Sequence, residues 1–154
     1  MPMIDLTMPA GALSDEALDS LSDTLMRALL RAEQVSEDVA TKELLSWFFV
    51  REIPPRRMYG GAHPVNGRPL FRIDVSVPED VLDTERKDRF VAEATDLILA
   101  AAGLDRDDAG NKARVWVIFR EVPDGSWGGG GRILSLRQIA RIVGVADDRL
   151  ANAM

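Results

Sequence analysis

Residues 47–61 read WFFVREIPPRRMYGG, and residues 116–130 read WVIFREVPDGSWGGG. Trp, Arg-Glu, Pro and Gly-Gly recur in the two stretches at one offset, 69 positions. Carried outward without a gap, the same offset pairs Ile4 with Ile73, Asp5 with Asp74, Pro9 with Pro78, Leu13 with Leu82, Leu30 with Leu99 and Ala40 with Ala109. In all, 16 of the first 61 positions match their counterparts, where average composition gives roughly four by chance. The period is too long for the common solenoid repeats, so the chain reads as a tandem duplication of one small module.

Each copy has the order strand, helix, strand. In the first, Met3 to Met8 is a strand and Ser14 an N-cap. Leu18, Leu21, Leu25, Ala28, Leu29 and Ala32 then fall at steps of three and four, one apolar stripe on a helix. Leu45 to Ile53 is a strand stopped by Pro54-Pro55. The second copy repeats this with a strand at Leu70 to Val77, a helix at Thr84 to Ala102 and a strand at Arg114 to Val122. Strands joined through a crossover helix pair in parallel. The expectation is therefore an α/β (α+β) fold: a tandem β-α-β repeat forming a four-stranded sheet with two helices on one face. Residues 1–69 and 70–133 are the two modules of one compact domain, and 134–154 hold a short helix, Leu134 to Val143, and a polar tail.

The runs at 47–50 and 115–119 are apolar on both alternating faces, the pattern of strands covered on both sides. Two helices cover only one face, so the second calls for a closed homo-oligomer.

Composition excludes several functional classes. The 154 residues carry 19 Lys+Arg against 25 Asp+Glu, a net charge of -6, so no basic footprint exists for nucleic acid. There is no cysteine and one histidine, His63, which excludes a thiolate nucleophile and a zinc site of the usual Cys/His kind. Nothing in the sequence implies a cofactor or metal. No run reaches the roughly 18 apolar residues of a spanning helix, and no secretory leader pattern opens the chain, so a cytoplasmic, membrane-free protein is expected.

Met-Pro leading directly into a strand, a β-α-β unit closing in Arg-Glu-Val-Pro, then Trp127 and a glycine cluster, resemble the tautomerase superfamily typified by 4-oxalocrotonate tautomerase. The duplication resembles its fused branch, which includes malonate semialdehyde decarboxylase and cis-3-chloroacrylic acid dehalogenase. The resemblance implies a trimer, three duplicated chains standing for six modules. It also implies that Pro2, freed by loss of Met1, is the general acid/base for keto-enol proton transfer on a small enol or keto acid. The chemistry is sound, because a free α-amine titrates near pH 8 and apolar surroundings push it lower. Such a group can take a proton from one atom and return it to another. The equivalent of Pro2 in the second copy is Phe71, an internal residue, so each chain offers one such site.

Trp127 occupies the position of the family's active-site aromatic and is expected to wall the pocket. Arg72, beside Phe71, is expected near Pro2 because the first strands of the copies are equivalent, and Arg132 follows the glycines as an anion contact. Gly128 to Gly131 read as a tight turn, and His63 as a solvated loop residue. Arg51/Glu52 and Arg120/Glu121 read as structural ion pairs at a subunit contact. The arginines that relatives use as substrate anchors align here with Trp47, Trp116 and Val77 to Glu79. Two alternatives follow: a hydratase, dehalogenase or decarboxylase of the same superfamily, or a non-catalytic oligomeric protein that kept the fold.

Overall fold

The computed structural model describes residues 3–145. Strand β1 (Met3–Pro9), helix α1 (Asp15–Ala32) and strand β2 (Trp47–Ile53) make the first module, followed by a small hairpin, β3 (Tyr59–Gly60) and β4 (His63–Pro64). The second module repeats the order with β5 (Phe71–Pro78), α2 (Thr84–Ala101), a single turn α3 (Ala109–Lys112) and β6 (Val115–Val122). A second hairpin, β7 (Trp127–Gly129) and β8 (Arg132–Leu134), and the short α4 (Leu136–Ile142) close the fold. The expected tail lies, from residue 146 onward, outside the described residues.

The main sheet has the order β2-β1-β5-β6. As expected, β1 pairs with β2 in parallel, and β5 with β6 in parallel. The modules themselves meet through β1 and β5, which run antiparallel with Met3 opposite Ser76, Asp5 opposite Asp74 and Thr7 opposite Arg72. Positions 3 and 72, and 7 and 76, are equivalents in the repeat, so the two modules are related by a pseudo-two-fold axis through Asp5 and Asp74.

Ser14 Oγ accepts the Ala17 N–H at 3.2 Å and Asp83 Oδ1 accepts the Arg86 N–H at 2.8 Å, which starts both helices with a side-chain cap. Each ends through a left-handed residue, Gln34 (φ 58°) and Gly103 (φ 65°). There Val35 N–H bonds to Leu30 O and Leu104 N–H to Leu99 O. Three further pairs of left-handed positions repeat at the same offset, Gly11 with Asp80, Arg56 with Gly125 and Gly61 with Gly130. The duplication therefore persists in the backbone where the side chains have diverged.

Alternation on the strands sends Ile4, Leu6 and Met8 of β1 and Ile73, Val75 and Val77 of β5 into a core against Leu25 and Leu29 of α1 and Phe90 and Ile98 of α2. The opposite face carries no helix. Trp47 (46% exposed), Phe49 and Trp116 (69%) lie open on it, at the outer strands. The two hairpins reproduce each other at the repeat offset, and His63 sits in β4 rather than in a free loop.

At the centre of the open face the duplicated arginines find different partners from those expected. Arg51 bonds Asp5 at 3.0 Å and Arg120 bonds Asp74 at 2.7 Å, with Arg72 a second partner of Asp74 at 2.8 Å. Successive side chains on a strand point to opposite faces, so Arg51 and Glu52 cannot pair. Glu52 instead accepts the Gly11 N–H, and Glu121 pairs with Lys87.

Burial alone raises the pKa of Asp74, but the bonds from Arg72 and Arg120 outweigh it and hold the carboxyl below its ordinary value. A carboxyl with a depressed pKa stabilises the fold above the unfolded-state value, and that stability is lost as pH falls through the folded-state value. Asp74→Asn is expected to cost about 1–3 kcal/mol in urea unfolding at neutral pH. The gap from wild type should close as the titration is repeated towards pH 3, and a gap that stays constant with pH would rule out this charge pairing.

Candidate active site

Pro2 precedes the described residues and is joined in sequence to Met3, the first residue of β1. Met3 lies on the open-face side of β1 and packs with Val122 against a small second core of Trp127, Leu134 and Ile139. Beside it runs a cleft of about 310 Å³, lined by Met3, Leu44, Leu45, Trp47, Trp127 and the glycines 128 to 130.

The hairpin builds one wall. Trp127 pairs with Leu134 and Gly129 with Arg132, across a two-residue turn in which Gly130 (φ 59°) and Gly131 (φ 78°) both take the left-handed conformation that such a turn demands. The glycine run is thus the tight turn the sequence implied. Asp124 Oδ1 accepts the Leu136 N–H at 2.8 Å, and a capping box between Ser135 and Gln138 starts α4, whose Ile139 backs the indole. Trp127 is 7% exposed, held from behind and open to the cleft.

Arg132 is exposed on β8 opposite the cleft-lining Gly129, and among the described residues it makes no ion pair. Arg72 is elsewhere. Equivalence in the repeat was expected to bring it near Pro2, but the antiparallel pairing places it opposite Thr7, four residues along β1 from Met3. At about 3.3 Å per residue that is roughly 13 Å from the Met3 end, and its guanidinium is bound to Asp74. Arg114 is occupied by the carbonyls of Arg68 and Pro69, whereas Arg56 and Arg57 are exposed before β3.

Sequence reasoning passed over Glu33. It is the C-cap of α1, the helix that runs back over β1 and so ends near the strand's amino end. It is 7% exposed, and its Oε1 is buried with no hydrogen-bond partner. Burial pushes the carboxyl up to about 7, and the positive charge of the chain's amino terminus pulls against that shift. The signal that could have found it is the repeat itself, since the equivalent residue in the second module is Ala102. Among the described residues no group of three or more His, Cys, Asp or Glu could hold a metal ion, and no helix is long and apolar enough to cross a membrane.

A family model described as Tautomerase enzyme matches residues 72–137, the second module and its hairpin. A fused 4-OT solved as an asymmetric trimer aligns over 92% of this chain and 98% of its own, with 18% identity and a TM-score of 0.68. A member of the cis-3-chloroacrylic acid dehalogenase family aligns over 98% and 97%, with 11% identity and a TM-score of 0.70. The protein Pt0534, crystallised after inactivation by 2-oxo-3-pentynoate, aligns over 88% and 96%, with 16% identity and a TM-score of 0.69. The fold is that of the tautomerase superfamily, in its fused two-module form. No curated protein matches the sequence significantly.

A buried carboxyl with a raised pKa stabilises the fold below the unfolded-state value of 4.5, and that stability is lost as pH rises through about 7. Wild type is expected to lose on the order of 3 kcal/mol at most between pH 5 and pH 8 from this group. Glu33→Gln should flatten that decline in thermal melts, and equal slopes for the two proteins would show that Glu33 is not the buried acid.

Proposed function

We propose that the protein is a tautomerase in which the amino group of Pro2, freed by removal of Met1, moves a proton between carbon and oxygen of a small enol or keto acid. The observation that carries this reading is the apolar cleft beside Met3, walled by Trp127, at the one chain end where a free amine can exist. Apolar walls disfavour the ammonium form and bring the amine towards neutrality, where it serves as both base and acid. Trp127 shapes the pocket, and Arg132 at its rim takes the substrate carboxylate as a charge-assisted partner.

Arg72, tied to Asp74, belongs to the open sheet face rather than to its own chain's cleft. That face, with Trp47, Phe49 and Trp116 exposed around a band of paired charges, is the contact between chains in a homotrimer. Solved neighbours described as trimers of fused 4-OT support this assembly. A hydratase, dehalogenase or decarboxylase would need further cationic anchors around the cleft, where the described lining is apolar or glycine.

The test begins with the intact mass, expected to lack Met1. Phenylenolpyruvate should then be ketonised, and Pro2→Ala should lower kcat/KM by about 100-fold or more while sedimentation still reports a trimer. Undiminished turnover in Pro2→Ala, or no turnover of any simple enol by the processed wild type, would count against the enzyme and favour a non-catalytic oligomer.

A further inference from the structure

Among the described residues, the side chains that line the cleft carry no charge. Met3, Leu44, Leu45, Trp47 and Trp127 surround it with the glycines of the hairpin, and Arg132 lies exposed opposite Gly129. A volume of about 310 Å³ is at the small end of the range for small-molecule sites, which bury most of an occupant's surface.

The repeat shows that this apolar lining is not a requirement of the module. Met3 corresponds to Arg72 and Leu45 to Arg114, so the second module carries arginine at two positions that are apolar in the first. Arg72 is bound to Asp74, and Arg114 donates to the carbonyls of Arg68 and Pro69 at 2.8 and 3.5 Å. The same strand starts therefore form around a guanidinium as well as around an alkyl chain. Burial does not explain the choice either, since Leu44 is 79% exposed and Trp47 46%. Trp47 is nonetheless held in place: its Nε1–H donates to Glu43 O at 2.8 Å, and its ring meets Phe49 edge-on at 6.0 Å between centroids. An exposed leucine and a fixed indole thus share one cleft with a second indole, backed by Ile139.

We propose that the site takes a monocarboxylic enol or keto acid whose third carbon bears a large apolar group, such as an aryl ring, and rejects the dicarboxylic analogue, with Leu45 and Trp47 setting this specificity. The inference rests on the reading of Pro2 as the acid/base and deepens it. Arg132 supplies one cation, which answers one carboxylate. A second carboxylate in place of the apolar group lies against leucine and indole with no cation among the described lining residues, and an unpaired ion withdrawn from water is strongly disfavoured. An aryl ring in that place buries apolar surface and meets an indole edge-to-face or offset-stacked.

The test uses the processed, assembled protein and two enols that differ only at the third carbon, phenylenolpyruvate with a phenyl ring and enol-oxaloacetate with a carboxylate. With each rate taken relative to uncatalysed ketonisation, wild type is expected to prefer the phenyl compound by about 100-fold in kcat/KM. Leu45→Arg, which installs the residue of the second module, should cut that preference by about tenfold, with phenyl turnover falling and dicarboxylate turnover rising. Leu45 packs on the main core, so Leu44→Arg, at an exposed position, is the second variant and should move the ratio in the same direction. Calorimetric binding of the unreactive acids cinnamate and fumarate reads the same discrimination without proton transfer, and cinnamate should bind more tightly. Equal turnover of the two enols by wild type, or a ratio unchanged in both variants, would overturn the specificity and leave Pro2 as the base. Selective binding of cinnamate by processed protein that ketonises neither enol would overturn the proposed function and leave the apolar cleft as a binding site. Neither turnover nor binding would overturn both.

Discussion

The antiparallel pairing of β1 with β5 is the constraint on which the rest depends. It joins two parallel β-α-β units into one sheet, puts both helices on one face, and leaves the other bare. It also sets Asp5 directly opposite Asp74, an arrangement of like charges that is unfavourable by itself. Three arginines answer it, one for Asp5 and two for Asp74. The charged band in the middle of the open face is thus a consequence of the duplication axis. The aromatic residues at its outer strands make the same face adhesive, and charges flanked by apolar surface favour a defined partner over indiscriminate association.

The same pairing sends the two copies of every feature to opposite ends of the sheet. One end has a chain terminus, an apolar cleft, an indole held by its hairpin and a buried carboxyl at the adjoining helix end. The other has Phe71, an internal peptide, and Ala102. The second module thus supports the first. Module two contributes Trp127 and the glycine hairpin to a cleft that opens on the first residue of module one.

Much of this was legible in the sequence because the repeat fixes element boundaries twice over. Helices with a Ser or Asp cap and a three-four apolar stripe, strands ending in proline, and the Gly-Gly turn all report local physics. The bare sheet face was also readable, from strands apolar on both sides. The relation between the modules was not, because no local pattern states whether two equivalent strands meet parallel or antiparallel. The placement of Arg72 beside Pro2 failed for that reason, and so did the pairing of Arg51 with Glu52, because the partner of Arg51 lies across strands 46 residues away. Glu33 was invisible because a glutamate just after an apolar stripe looks like an ordinary helix end; only the comparison with Ala102 marks it.

The claim at the centre is that Pro2 carries a basic nitrogen at neutral pH. Nitrogen-15 labelling of the prolines, followed by a pH titration of the Pro2 resonance in the assembled protein, tests it without a substrate. The account predicts an amine resonance that titrates between about pH 6 and 8. A Pro2 nitrogen with an amide shift that does not move across the titration would contradict it.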